Sequence, residues 1–385
     1  MINKQRLIKL TQALIRINSE NPGGNEFEIA RFVKRYLERM GLEPKIYEFK
    51  KKRSNVVCVL KGKHAKYSLL ITPHLDTVPR GNNWRFSPFA AKIQDGRIYG
   101  LGATDCKGNL AVALEAMNSL SEEEVALDYN LIFAATADEE SGSFLGLLPL
   151  LEKGILKPDA ALVLDSDDFN IIVAQKGLMQ LKVKIEGKRA HGAYPWQGVN
   201  AVELAMDMLR ELKQSKFSYE KNKYLRPPTM NIGTIKGGDK VNVVADWCEF
   251  ELDFRFLPGT QARNLLKDIR KIMQKQTKKF KIEIEAIQAP FRIGKAHSLV
   301  IGLCRAMRQA KARPAITGSE GATVITFFQR RNIPALATGF GSAGTAHSAD
   351  EYVKINNLYK GAYILEAFLK GARLWKELKF LKGRG

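Results

Sequence analysis

The sequence has 385 residues, of which 45% are hydrophobic and 26% charged, and its formal net charge is +21. This length exceeds what one modest core accommodates, so we expect two domains. No run approaches the roughly 18–20 apolar residues of a membrane span, and the charged N-terminus lacks the apolar stretch of a signal peptide. Four widely spaced cysteines are typical of a reducing compartment, which favours a cytoplasmic protein.

The positive charge is spread along the whole chain, and no zinc-finger, helix-turn-helix or RRM signature accompanies it. The lysine-rich faces therefore indicate solvated surface, and we expect no specific nucleic-acid partner. The basic tail, 370–385, fits an amphipathic helix on a membrane surface. We favour a terminal helix that docks apolar side chains on the core, namely Leu374, Trp375, Leu378 and Leu381.

In chain order, helical apolar spacing first covers 4–17 and 26–40, and Met40-Gly41 is a signal for a helix end. A helix is also predicted at 108–120. Short, continuously apolar strands are predicted on either side of it, at 55–60, 68–72, 131–136 and 160–164. Such strands alternating with helices predict an α/β domain, with a mixed sheet flanked by helices on both faces.

Between residues 177 and 290 the hydrophobic pattern changes to period two, which is typical of an antiparallel sheet with one solvated face. The predicted elements of this segment are strands at 179–186, 230–235, 249–256 and 281–287, and helices at 198–213 and 260–277. Their order, β-α-β-β-α-β, is ferredoxin-like. We therefore expect an inserted α+β domain at 177–290.

The catalytic domain is then expected to comprise residues 1–176 and 291–385, because apolar periodicity resumes after the insert. A strand is predicted within 330–340 and a helix near 355–370.

Carboxylate and imidazole side chains recur where apolar strands meet polar or Gly-rich turns: His74, Asp76, Asp105, Glu139, Glu140, Asp165 and His347. So many carboxylates at the end of a buried sheet repel one another and resist desolvation. Two divalent cations would relieve that repulsion. Imidazole and carboxylate ligands without thiolate suit zinc and admit cobalt or manganese. The pattern predicts metal-assisted hydrolysis.

Several motifs of the chain are specific in combination: HLDTVP, GxGxTDxKG, the paired glutamates, AHGxYPxxGxNAV and AHSADEYV. Through them the chain resembles the dinuclear-zinc amidohydrolases and exopeptidases that include acetylornithine deacetylase, succinyl-diaminopimelate desuccinylase, aminoacylase and glutamate carboxypeptidase. The resemblance runs from the first helix to about residue 353.

The resemblance implies a ligand set for two metal ions. His74 and Asp165 would hold one ion, Glu140 and His347 the other, and Asp105 would bridge them. Asp165 stands where many relatives have glutamate, although aspartate is also used there.

The resemblance also implies catalytic roles. Asp76 would orient the metal-binding histidine that precedes it, and Glu139 would act as general base and then acid for a water held between the metals. The insert would be a dimerisation or lid domain of a homodimer. His191 would reach the partner's active site and stabilise the oxyanion, while Asn242 and Arg255 would contact the substrate.

The predicted substrate is an N-acyl amino acid or diamino acid, and a dipeptidase or carboxypeptidase activity is the alternative. The loop 317–325 departs from the Gly-Thr-Ser-Asp pattern of desuccinylases and resembles acetylornithine deacetylase more. We expect Glu320 in that loop to pair with an ammonium group of a basic substrate. A catalytically silent metal-binding or RNA-associating basic protein is a reading from a different class.

Overall fold

The computed structural model of the protein describes residues 1–63 and 66–372. These residues form two compact units. Of the described residues, the larger unit comprises those within 1–173, 293–317 and 323–372, and the smaller unit comprises 174–292 and 318–322. The apolar contacts predicted for the tail, from Leu374 to Leu381, lie outside the described residues.

The larger unit begins with helices and then builds most of its sheet. Its elements up to the smaller unit are α1 (Lys4–Arg16), α2 (Phe27–Glu38), β1 (Lys45–Lys50), β2 (Arg53–Leu60), β3 (Ser68–Thr72), β4 (Lys92–Gln94), β5 (Arg97–Tyr99), α3 (Lys107–Glu122), β6 (Asn130–Ala135), α4 (Leu147–Glu152), β7 (Ala160–Leu164) and β8 (Asn170–Gln175).

The next elements along the chain are β9 (Gly177–Glu186), α5 (Ala201–Gln214), β10 (Thr229–Gly237), β11 (Trp247–Phe256), α6 (Ala262–Met273), β12 (Phe280–Gln288) and β13 (Phe291–Arg292). The remaining elements are α7 (Ser298–Gln309), β14 (Ala315–Ser319), α8 (Ile325–Gln329), β15 (Ala335–Thr338), β16 (Tyr352–Lys354) and α9 (Ile355–Gly371). Among the described residues, no helix combines the length and apolar character that crossing a bilayer requires.

The sheet of the larger unit has the order β1-β2-β6-β3-β7-β15-β8. Strands β6, β3, β7 and β15 run parallel, whereas β1, β2 and β8 pair antiparallel with their neighbours. Every residue of β7 is buried, and all of β3 except Ser68 is buried too, which explains their continuously apolar sequences. Helix α3 packs against α1 and α9 and buries most of its residues, while α2 packs on β2. The predicted mixed sheet flanked by helices is confirmed.

The parallel strands position the functional residues. Because these strands share a direction, the segments that follow them lie along one edge of the sheet, where open α/β sheets bind their ligands. His74 follows β3 by two residues, Glu139 follows β6 by four, and Asp165 directly follows β7. Three candidate site residues therefore share this edge.

The smaller unit is a four-stranded antiparallel sheet in the order β10-β11-β9-β12. Along β9 and β11, buried side chains alternate with half-buried or exposed ones, as the period-two pattern predicts. The buried set packs with α5 and α6 in one hydrophobic core. Strand order and helix placement are those of a ferredoxin-like α+β fold, as predicted.

One short segment belongs to a different unit from the one expected from the sequence. Residues 318–322 belong to the smaller unit, although the hydrophobic pattern places them in the catalytic domain. The Lys176 amide donates to the Ser319 carbonyl over 3.1 Å. A Cβ at Gly318 would lie 2.6 Å from the Tyr224 carbonyl oxygen, so only glycine fits this close approach.

Candidate metal centre

Two groups of metal-binding side chains meet at Asp105. The first group is His74, Asp105 and Asp165, and the second is Asp105, Glu140 and His347; the donor atoms within each group lie within 4.8 Å of one another. Asp105 Oδ1 lies 2.8 Å from His74 Nε2, and Asp105 Oδ2 lies 3.2 Å from His347 Nε2. A carboxylate that offers one oxygen to each side has the arrangement that bridges two metal ions.

The chemistry of the donors fits metal ions. Glu140 Oε1 is buried and has no hydrogen-bond partner among the described residues, so it is free to bind a cation. Burial, together with the charge of Asp105, raises the pKa of Asp165 to about 7. Burial and the charge of Asp165 raise the pKa of Glu139 well above its usual value. Crowded carboxylates resist ionisation here, and divalent cations would relieve that repulsion.

Cys106 lies beside the centre but does not extend the donor set. Its sulfur accepts from the His74 amide over 3.3 Å and contacts the Leu164 carbonyl oxygen at 3.3 Å. Burial raises the pKa of the thiol to about 11. The thiol therefore stays protonated at neutral pH. Because binding a metal ion or attacking an acyl group requires a thiolate, Cys106 does neither.

Asp76 organises the turn that carries the paired glutamates. Its carboxylate accepts the backbone amides of Glu139 and Glu140, each over 3.1 Å, and the side-chain amide of Asn21 over 3.0 Å. His74 Nδ1 lies 3.0 Å from the backbone oxygen of Asp76 and 3.5 Å from its carboxylate. An acceptor at Nδ1 keeps the hydrogen there and leaves the Nε2 lone pair free for a metal.

Glu351 is a functional residue that the sequence analysis missed, although it lies in the AHSADEYV motif. It is fully buried and its carboxylate accepts the backbone amides of Gly102, Thr104 and Asp105 over 2.7–2.9 Å. These bonds hold the loop that presents Asp105. Burial raises the pKa of Glu351 to about 7.

His191 and Asn242 are neighbours within the smaller unit. The Gly192 amide donates to the backbone oxygen of Asn242 over 2.8 Å, and His191 pairs with Val243 in an isolated bridge. The exposed His191 ring accepts the Ala193 amide at Nδ1 over 3.0 Å, which leaves Nε2 available.

Arg255 lines a cavity of about 450 Å³ in the smaller unit. Phe217, Phe254 and Phe256 line the same cavity. Its guanidinium forms two hydrogen bonds to Asp253, over 2.6 and 3.1 Å. A substrate carboxylate would therefore share this guanidinium with Asp253.

The structure changes the interpretation of Glu320. One of its carboxylate oxygens lies 2.5 Å from Nζ of the buried Lys176, and the other accepts the Arg226 amide over 2.9 Å. Lys176 also donates to the Pro227 carbonyl over 2.7 Å. Glu320 therefore already pairs with an ammonium group of the same unit, and its pairing with a substrate ammonium stays a prediction.

Comparison with known proteins agrees with this geometry. A model of Peptidase family M20/M25/M40 matches residues 70–371. An uncharacterized metallohydrolase of Methanocaldococcus jannaschii is 30% identical, with 95% of this chain and 99% of that protein covered. An acetylornithine deacetylase of Pasteurella multocida is 29% identical over 83% of this chain and 84% of its own. The structure of a Staphylococcus aureus tripeptidase superposes with a TM-score of 0.79 at 26% identity, covering 96% and 98% of the two chains.

Asp165 makes the stability of the metal-free protein depend on pH. Its pKa of about 7 in the folded protein compares with roughly 3.9 in an unfolded chain. Between these values the folded state binds more protons than the unfolded state, so its stability falls as the pH rises. We expect the Tm of metal-stripped protein to fall between about pH 4 and about pH 7, and added zinc to raise the Tm more at the higher pH.

The matched control is Asp165→Asn, which removes this titration and should make the dependence of Tm on pH less steep, while Glu139 and Glu351 keep contributing to it. Thermal unfolding at a series of pH values gives both slopes. Parallel slopes for the two proteins would contradict the assignment of the effect to Asp165.

Proposed function

Since this chain belongs to Peptidase family M20/M25/M40 and is a metallohydrolase, we propose that it cleaves an amide bond next to a free carboxylate, in an N-acyl amino acid or diamino acid. The observation that supports this most strongly is the sharing of Asp105 between two donor groups, with Glu139 beside them. A deacylase is our first choice, because an acetylornithine deacetylase is similar over 83% of the chain.

We assign one ion to His74, Asp105 and Asp165, and a second to Asp105, Glu140 and His347. Zinc suits these imidazole and carboxylate donors, and cobalt or manganese fits them too. Ions bound there supply Lewis acidity for the amide carbonyl and lower the pKa of water.

Glu139 is the proposed general base. Asp76 holds its backbone amide. Burial raises the pKa of the Glu139 carboxyl, which also lies close enough to Asp165, Glu140 and Asp105 for their charges to raise it. Its raised pKa suits a group that takes a proton from the attacking water near neutral pH and passes it to the leaving nitrogen. A catalytically silent protein would have no use for this base.

For the smaller unit we propose the role of a dimerisation and lid domain. His191 would stabilise the oxyanion in the active site of the partner subunit, because its Nε2 is available as a donor. Asn242, fixed beside it, would contact the substrate. Arg255 would bind the substrate carboxylate in competition with Asp253.

A peptidase activity is the second candidate, and it is favoured by the structural likeness to the tripeptidase. Amine release from N-acetyl and N-succinyl amino acids and from di- and tripeptides separates the two candidates. Turnover of peptides alone would favour the peptidase, whereas a zinc-loaded protein that turns over no substrate would favour a binding role.

The adjacent glutamates provide a matched pair of variants. Glu139→Gln should lower kcat by roughly 10²–10⁴-fold and leave zinc binding intact, because it removes the base but no proposed ligand. Glu140→Gln should weaken the binding of one zinc ion. Steady-state kinetics and zinc titration measure the two effects, and substantial turnover by Glu139→Gln would rule out this mechanism.

The action of His191 across a dimer predicts complementation. His191→Ala and Glu139→Gln should each lose activity, and mixing the two proteins under subunit exchange should restore part of it. In the mixed dimer, one active site combines an intact Glu139 with the partner's intact histidine. If mixing restores no activity although subunits exchange, His191 does not act across the interface.

A further inference from the structure

A buried cluster of charged side chains lies outside the proposed ligand set. The guanidinium of Arg53 donates from Nε to both carboxylate oxygens of Glu26, over 2.7 and 3.0 Å, and from Nη2 to Asp138 Oδ1 over 2.7 Å. Glu26 is completely buried, and Asp138 and Arg53 are only 4% and 9% exposed. Two buried carboxylates thus share one arginine, which is costly to desolvate unless the geometry is well satisfied.

The cluster is attached directly to the turn that carries Glu139 and Glu140. The Asp138 backbone amide donates to the Glu26 carboxylate over 3.2 Å, and Oδ2 of Asp138 accepts the Leu145 amide over 3.0 Å. Asp138 is therefore held at its carboxylate and at its backbone. The next residue along the chain is the proposed base, and the one after it is a proposed ligand.

A second connection reaches the metal centre through Asn21. Its side-chain amide donates to Asp76 over 3.0 Å and contacts Asp138 Oδ1 at 3.4 Å. Asp76 in turn accepts the amides of Glu139 and Glu140. The hydrogen-bond network thus runs without a break from Arg53 to the amides of both glutamates.

The backbone at both ends of the cluster has a demanding conformation. Asp138 has φ of +65°, a left-handed conformation that aspartate tolerates better than most residues. Gly24 has φ of +41°, and a Cβ there would lie 2.4 Å from the Arg53 guanidinium, so a larger residue at position 24 would be strained and would displace this side chain. Arg53 therefore contacts two segments whose backbone conformations at these positions suit few other residues.

We propose that Arg53 is a positioning residue of the catalytic centre, which sets the place of Glu139 and Glu140 through Asp138. Arginine suits this role because its planar fork bonds to two carboxylates at once, whereas a lysine is a single point of charge. The inference deepens the proposed function and rests on it. It adds that the catalytic geometry depends on a side chain that touches neither substrate nor metal.

A purely structural role makes a different prediction. Removing one partner of a buried ion pair lowers stability, but the enzyme that remains folded would then keep its kcat. A positioning role lowers kcat of the folded enzyme and weakens the binding of the ion held by Glu140, because both glutamates shift.

The test compares Arg53→Met, Arg53→Lys and Asp138→Asn with wild type in the full-length protein, with kinetics on the zinc-loaded form and zinc titration on the metal-stripped form. We expect kcat to fall by roughly 10–100-fold with little change in KM, and the affinity for one zinc ion to fall by a similar factor. Asp138→Asn keeps the shape and the left-handed conformation but loses one acceptor oxygen. It therefore serves as the test if Arg53→Met does not fold.

The matched control is Arg6→Met. Arg6 likewise bonds through its fork to a completely buried glutamate, Glu115, but its other partners are Glu122 and the Met1 carbonyl. It should lose stability and keep kcat and zinc affinity. This control separates the loss of a buried ion pair from the loss of positioning.

The proposal is overturned if Arg53→Met and Asp138→Asn keep wild-type kcat and zinc affinity per folded molecule. It is also overturned if Arg53→Lys restores both, because charge alone would then suffice. The zinc titration needs no substrate. If wild type hydrolyses none of the amides, the proposed function fails, while unequal zinc affinities of wild type and variants still support the positioning of Glu140.

Discussion

The mutual repulsion of buried carboxylates around Asp105 is the constraint on which the rest of this structure depends. Asp105, Glu139, Glu140 and Asp165 cluster at one edge of a buried sheet, where desolvation disfavours the ionised forms of Glu139 and Asp165. Hydrogen bonds from His347 and His74 overcome the effect of burial on Asp105 and lower the pKa of this carboxyl. The pKa values of Glu139 and Asp165 shift in the opposite direction. A fold that brings these acids together therefore needs both a cationic partner and a rigid frame.

The frame is made of backbone amides and buried charges. Asp76 holds the amides of the paired glutamates, and Glu351 holds those around Asp105. Arg53 forms ion pairs with Glu26 and Asp138, and Asp138 directly precedes the paired glutamates in the chain. Each of these side chains acts on a loop rather than on a substrate, so the edge of the sheet keeps its geometry while its acidic side chains repel one another.

Much of this arrangement is predictable from sequence, since the parallel strands are continuously apolar and the insert alternates with period two. The strands β4, β5 and β16 were missed because runs of three residues carry no periodicity. Helix α7 was also missed, since it begins after His297, an unusual N-cap whose Nδ1 accepts the Leu299 amide.

The contacts that escaped prediction join residues far apart in the chain. Arg53 and Glu26 are separated by 27 positions, and Glu351 lies 246 positions from Asp105. No local pattern marks a carboxylate that will accept distant backbone amides. The contact between Glu320 and Lys176 escaped prediction for the same reason, because Lys176 belongs to another segment and only the tertiary structure brings them together.

The central claim is that one carboxylate, Asp105, serves two metal ions, and calorimetric titration of the metal-stripped protein with zinc tests it most directly. The account predicts two zinc ions per chain, a loss of affinity at both sites in Asp105→Ala, and a loss at only one site in His347→Ala. A single zinc ion per chain in the wild type, or the loss of the same single site in both variants, would contradict it.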